Sequence, residues 1–469
     1  MKFLDRKQEF SLLTKAILSK NFSFVVLWGR RRIGKSRLLI EWNHQQKGIY
    51  WVADESTPFV QRKYFTEALT KKFPGINEVD YPDWKILFRR LTQEIKNQRW
   101  EGPLIIDELP YLVSASKELP SVIQNWIDQD LKSLKFTLII AGSSQTMMQG
   151  LALSANSPLY GRATEIIKLS PLAPKYLKEG MHINSPIDQI KAYTLWGGIP
   201  RYWELAENYG IEIEKSAYDL LLKPQGILHQ EPHRLLLEEK PSAISLKPIL
   251  DVIGMGAHKT SEIAARLSQS STSLSKGLHR LQELDLIKRE IPFGESEKSG
   301  KKSLYKINDP LFRIWFELIS GRQGQIAEST QPQLMKLLDS YLPHLISKTW
   351  EDLCRKAFLH LPQLQQESWR VPSRYWQGNG PEWDLISTSF DTHSIIIGEC
   401  KWFTGKATTT LIQKTIQQLI EKGIPPLSQP PFEHIYYYLF IPEIPQEKIK
   451  LANNIVLIDA KTVIQSIES

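Results

Sequence analysis

The chain has 469 residues, 42% of them hydrophobic, 23% charged and 10% aromatic, with a net charge of +8. This composition excludes a mainly disordered, collagen-like or coiled-coil chain, and the length predicts about three globular domains. The basic balance permits a nucleic-acid partner without establishing one. No apolar run is long enough to span a membrane, and the start MKFLDRKQEF lacks the apolar core of a secretion signal, so a cytoplasmic protein with no membrane partner is expected. The two cysteines, Cys354 and Cys400, exclude a disulfide framework, and no Cys/His spacing suits zinc.

From Met1 to about Ser170, short apolar runs alternate with amphipathic helices. Phe24–Trp28, Leu104–Ile106 and Phe136–Ala141 read as fully buried strands, and Phe65–Phe73 and Trp84–Asn97 as helices. Continuous apolar strands separated by helices predict an α/β fold with a parallel sheet covered on both faces. Residues 171–237 read mainly as helices. Clusters of Gly, Pro, Ser and charge at Glu238–Ser245 and Gly321–Pro332 read as domain boundaries, and Gly294–Lys302 as a polar hairpin insert.

The strand FVVLW runs directly into Gly29-Arg30-Arg31-Arg32-Ile33-Gly34-Lys35-Ser36 and then, from Arg37, into a helical pattern. This is G-x-x-x-x-G-K-[ST] in its strand–loop–helix setting, a P-loop that predicts ATP with Mg²⁺. The two glycines let backbone N–H groups approach a phosphate, and the helix N-terminus adds a favourable dipole. Lys35 is expected to reach the β- and γ-phosphates and Ser36 to ligate Mg²⁺. Leu104-Ile105-Ile106-Asp107-Glu108 is a buried strand ending in two carboxylates, of which Asp107 is expected to hold the metal and Glu108 to act as the base. The third strand ends in Ser143-Ser144. Either serine could touch the γ-phosphate or the attacking water, and either could instead cap a helix.

FLDRKQEF, GRRRIGKS, LIIDE, IIAGSS, Leu159-Tyr160-Gly161-Arg162 and Gly197-Gly198-Ile199-Pro200 together resemble the archaeal-type ATPase family. These are AAA+-superfamily proteins close to the signal-transducing NTPases with numerous domains, and the resemblance covers about residues 1–235. It implies a P-loop core over 1–170 and a helical lid over 171–240. It places the Asp5–Glu9 motif beside the nucleotide base and the turn ending at Pro200 in the lid over the adenine. Arg162 matches a family arginine that senses the γ-phosphate, in its own chain or from a neighbouring copy, which allows a homo-oligomer. The plainer reading of Arg162 is a surface arginine paired with a carboxylate. Arg30–Arg32 sit within the loop itself, and solvated decoration is favoured for them over nucleic-acid contact.

Residues 241–320 read as a winged helix-turn-helix: helices Ile249–Ile253, Ser261–Leu267 and Thr272–Leu284, then strands Leu286–Ile291 and Leu304–Ile307. In the third helix Leu274, Leu278 and Leu281 share one face, opposite Ser275, Lys276, His279 and Arg280. Such an outward face suits a DNA major groove, and Lys298, Lys301 and Lys302 in the insert could reach phosphates. The alternative is a winged helix that packs as a structural or regulatory piece.

In residues 321–469, Glu351 lies on an apolar-periodic helix, Asp384 opens a strand after the turn QGNGP, and the strand SIIIG leads into Glu399-Cys400-Lys401. Two carboxylates and a lysine at strand ends can bind a divalent ion, here through Asp384 and Glu399, and support phosphodiester hydrolysis. A following helix carries Gln413, Gln417 and Gln418. The arrangement resembles the PD-(D/E)xK restriction-endonuclease-like fold, with Glu351, Asp384, Glu399 and Lys401 in the matching places and Trp383 where proline is usual. The alternatives are a surface hairpin, or the fold retained without cutting. The leading expectation is a DNA-associated ATPase with a nuclease-like tail. A nucleotide-controlled switch that binds DNA or protein is second, and a small-molecule kinase on the same loop fits less well.

Overall fold

The computed structural model describes all residues except 240, 299, 301, 365–367, 379, 428–430, 448 and 468–469. The chain divides into two compact units. One comprises residues 2–171 with 199–201, the other residues 172–198 and 202–469 with Met1.

In the first unit, strands β1 (Ser23–Trp28), β2 (Ile49–Val52), β3 (Leu104–Asp107), β4 (Thr137–Gly142) and β5 (Glu165–Lys168) form a parallel sheet in the order β2-β3-β4-β1-β5. The three central strands are the continuous apolar runs, because both their faces are covered. The edge strands β2 and β5 escape that pattern: in IYWV only Ile49 and Trp51 are buried, and in EIIK only Ile167. Helix Trp84–Gln98 starts where the Asp83 side chain accepts the Ile86 N–H. It buries Trp84, Leu87, Phe88, Leu91 and Ile95 on one face, and Phe88 stacks on Trp126 with ring centroids 4.3 Å apart. Each such side chain contributes about 1.5–3 kcal/mol by leaving water.

The second unit begins with helices, among them Pro186–Trp196 and Glu231–Glu239. Helices Lys247–Gly254, Thr260–Arg266 and Ser271–Glu283 follow, then an antiparallel ribbon of β6 (Ile287–Glu290) and β7 (Leu304–Ile307). The Gly321–Pro332 boundary expected from composition lies inside this unit. Helix Gln323–Glu328 occupies it, and the long helix Gln331–Ala357 restarts at once because Thr330 and Gln333 form a capping box. Its Ser, Thr and Pro mark a helix start, not a break in packing.

The chain ends in a mixed sheet of β8 (Ser373–Tyr375), β9 (Trp383–Thr388), β10 (Ser394–Cys400), β11 (His434–Phe440) and β12 (Ile455–Ile458), ordered β12-β11-β10-β9-β8. β10 is buried throughout and pairs antiparallel with β9 and parallel with β11. Helix Thr409–Lys422 makes the crossover. Phe293, just beyond β6, packs against the cluster of Tyr375, Trp383 and Ile386, and its N–H donates to the Arg374 carbonyl at 2.7 Å. No helix among the described residues is long and apolar enough to cross a membrane.

Candidate active site

The loop between β1 and helix Lys35–Gln46 takes its shape from backbone that only certain residues tolerate. Gly29 has φ +151°, and a Cβ there would meet the Leu169 carbonyl oxygen at 2.9 Å, so glycine is required. Gly34, at φ +97°, caps the helix without a side chain, and a Cβ there would approach Pro200 Cγ at 3.8 Å. Lys35 is buried, its Nζ donating to the carbonyls of Gly29 at 2.9 Å and Arg30 at 3.0 Å. Arg31 donates to the Tyr111 hydroxyl at 3.1 Å, Arg32 is left-handed at φ +66°, Arg30 is buried, and exposed Arg37 pairs with Glu41 one turn on.

Arg6 was legible only as part of a motif. Its buried guanidinium donates to the Ile33 carbonyl at 3.2 Å and the Ser170 carbonyl at 2.8 Å, so it braces the loop from beneath. It is brought there by two consecutive left-handed residues, Asp5 (φ 56°) and Arg6 (φ 71°).

At the end of β3, Asp107 is fully buried. Its Oδ1 accepts the Glu108 N–H at 2.9 Å and its Oδ2 the Tyr50 hydroxyl at 2.8 Å. Burial, then the Asp107 charge, pushes the Tyr50 pKa well up, and a contact with the Ser36 hydroxyl opposes that. A buried carboxylate beside a hydroxyl offers the hard oxygen donors that Mg²⁺ takes. Glu108 turns through the left-handed region (φ 55°), which aims its carboxylate at the tip of β4. There Oε2 accepts the Ser143 N–H at 3.1 Å and hydroxyl at 2.8 Å. Ser144 instead caps helix Gln145–Met148 by accepting the Met147 N–H. Arg162 is committed to Asp128, at 2.7 and 3.0 Å, and to the carbonyls of Pro158 and Tyr160. Its guanidinium, followed by Lys132, holds the Asp128 carboxyl below the usual range.

The tail residues also converge, in a different electrostatic setting. The β9–β10 register places Leu385 opposite Gly398, so Asp384 and Glu399 are neighbours at one end of the sheet. Asp384 Oδ2 accepts the Cys400 N–H at 2.9 Å. Burial, then Glu399 and Glu351, pushes its carboxyl up to about 6. Glu351, on the long helix, faces Arg355 at 3.6 Å and Arg374 at 3.9 Å. Glu399 is clamped, with Oε1 on Lys401 and Oε2 on Lys422, each at 2.6 Å. Burial lowers the Lys401 pKa, but the bond to Glu399 leaves it raised overall. Both Glu399 oxygens are spent on ammonium groups, and among the described residues no group of three or more His, Cys, Asp or Glu is placed to hold a metal. Lys422 ends helix Thr409–Lys422, whose sequence pattern points instead to Gln413, Gln417 and Gln418, all exposed. Cys354 and Cys400 are both buried.

In helix Ser271–Glu283, Leu274, Leu278 and Leu281 are buried, and Ser275, Lys276 and His279 are exposed. The ribbon beside it is occupied by the tail. Lys288 pairs with Asp352 and with Glu290, and Glu290 also meets Lys306 at 2.7 Å and Arg374 at 3.4 Å. Asp352 further accepts from Arg313 and Arg355, each at 2.8 Å. In the insert, Lys302 pairs with Glu295, Lys298 is exposed, and Lys301 lies outside the described residues.

Comparison with known proteins places this geometry. A family model described as an ATPase domain predominantly from Archaea matches residues 3–205. Another, described as archaeal and bacterial proteins of unknown function, matches residues 315–416. The uncharacterized protein MJECL04 of Methanocaldococcus jannaschii is 31% identical over 409 residues, covering 85% of this chain and 87% of its own. The Walker-type ATPase PABY2304 of Pyrococcus abyssi shares the fold at a TM-score of 0.51 and 20% identity, over 67% of this chain and 96% of its own. The ORC2 protein of Aeropyrum pernix is a more distant likeness, with a TM-score of 0.42 and 12% identity over 73% of this chain and 94% of its own. The chain belongs to the archaeal-type ATPase family of the Methanocaldococcus protein, a P-loop ATPase domain followed by a carboxyl-terminal region of unknown function.

Proposed function

We propose that the chain is a Mg²⁺-dependent ATPase whose nucleotide cycle controls DNA engagement by its second unit. The observation that carries the ATPase reading is the meeting of Ser36, Asp107, Glu108 and Ser143 at the carboxyl ends of β1, β3 and β4. In this reading the N–H groups of Gly29–Ser36 cradle the phosphates. Lys35 exchanges the carbonyls of Gly29 and Arg30 for phosphate oxygens. Ser36 and Asp107 hold Mg²⁺, which when bound neutralises charge on the phosphates. Glu108 orients the attacking water and draws off its proton, and Ser143 sets the direction of the Glu108 carboxylate. Pro200 packs beside the loop and contributes to the adenine lid. Arg162 serves the first unit through Asp128.

DNA association rests on the exposed polar face of helix Ser271–Glu283, which carries Ser275, Lys276 and His279. The ribbon lysines are excluded from that role while they pair with Glu290 and Asp352. The Lys401 and Lys422 clamp on Glu399 favours the nucleotide-controlled switch over a cutting enzyme. The nuclease reading draws support from the convergence of Glu351, Asp384, Glu399 and Lys401 and is opposed by the two-lysine clamp on Glu399.

Two assays test this. Phosphate release from ATP by purified protein should need Mg²⁺ and be lost in Lys35→Ala; equal release by the variant contradicts the ATPase reading. DNA incubated with Mg²⁺ or Mn²⁺, with and without ATP, should be bound and remain uncut. Cutting by wild type but not by Asp384→Ala would replace the switch with the nuclease.

A further inference from the structure

Tyr50 belongs to no motif, yet it sits at the centre of the metal-facing oxygens. It lies on β2, where the parallel register sets Tyr50 opposite Ile105 and Val52 opposite Asp107. Residues two apart on a strand share a face, so Tyr50, Ile105 and Asp107 lie on one face of the sheet. From there the Tyr50 hydroxyl donates to Asp107 Oδ2 at 2.8 Å and meets the hydroxyl of Ser36. The other oxygen, Oδ1, accepts the Glu108 N–H at 2.9 Å. One neutral donor on each oxygen fixes the rotation of the carboxylate and leaves each oxygen a further lone pair. A phenol adds no positive charge, so the carboxylate keeps its full attraction for a cation.

We propose that Tyr50 is a positioning residue for the nucleotide's metal, holding the Asp107 carboxylate turned toward Mg²⁺. The inference rests on the ATPase reading above. Hydrogen-bond partners of metal-holding groups typically change metal affinity about 10–100-fold.

The test uses the full chain and a fluorescent ATP analogue, bound first in EDTA and then with Mg²⁺ titrated in. Tyr50→Phe should leave the affinity in EDTA within about twofold and raise the Mg²⁺ midpoint about 10-fold. Asp107→Asn should raise the midpoint by itself, and adding Tyr50→Phe to it should change nothing further, because Tyr50 acts through Asp107. A purely structural role for Tyr50 would lower affinity in EDTA as well. An unchanged midpoint in Tyr50→Phe, or an equal shift in the Asp107→Asn background, overturns the proposal. Wild-type binding that ignores Lys35→Ala would instead remove the ATP site on which the proposal stands.

Discussion

The phosphate-loop site and the tail cluster are built from the same parts, strand-end carboxylates with a lysine nearby, and differ in what those carboxylates face. Asp107 and Glu108 face neutral donors: a phenol, a serine hydroxyl and backbone N–H groups. Their charge is fixed in direction and left available to a cation or a water. Glu351 and Glu399 face Arg355, Arg374, Lys401 and Lys422, so most of their charge is already answered. Residue types and spacing make the two sites look alike, but their partners assign them to different work. In the first the carboxylates meet neutral donors, and in the second they meet cations.

That contrast is sharpened most by Asp352, which carries Lys288, Arg313 and Arg355 together. Asp352→Asn would strand those cations and should cost about 3–5 kcal/mol of stability in denaturant unfolding, with ATP hydrolysis retained. Despite burial, these cations hold the Asp352 carboxyl well below its ordinary value. A depressed folded pKa gives stability that is present above the unfolded carboxyl value of about 3.9 and lost as pH falls below it. Thermal melts of wild type should therefore drop on acidification through pH 4, and those of Asp352→Asn less so. A variant as stable as wild type would undo the structural reading of the tail cluster.

Arg6→Ala comes next. It leaves the Ile33 and Ser170 carbonyls without their buried donor and should cost about 1–3 kcal/mol while weakening nucleotide binding. Melts and nucleotide titrations check both effects, and a loss of stability alone would limit Arg6 to packing. The adjacent serines give the smallest and most discriminating pair. Ser144→Ala should cost about 1 kcal/mol through the lost helix cap with turnover nearly kept. Ser143→Ala should lower turnover with little change in stability, and the opposite pattern would exchange their roles.

Much of the first unit was legible because its chemistry is local in sequence. The loop Gly29–Ser36 and strands β1, β3 and β4 announce themselves by contiguous residue types. What was not legible came from partners that only folding brings near. Tyr50 sits 57 residues from Asp107, and Arg6 is 27 residues from Ile33. β2 and β5 are edge strands of only four residues, too short to stand out from the sequence around them. In the tail, Glu351, Asp384, Glu399 and Lys401 lie near one another. Lys422 and Arg374, whose charges change the meaning of that cluster, stand on elements whose own patterns carry no such signal.

The central claim, that Glu108 is poised for hydrolysis by neutral partners, is tested most directly by steady-state ATP turnover of Glu108→Gln. Glutamine keeps the size and the bonds from Ser143 but cannot accept a proton from water. Turnover should fall about 10²–10⁴-fold while ATP affinity stays near that of wild type. Unchanged turnover would contradict the account and leave Glu108 as a partner of Ser143 alone.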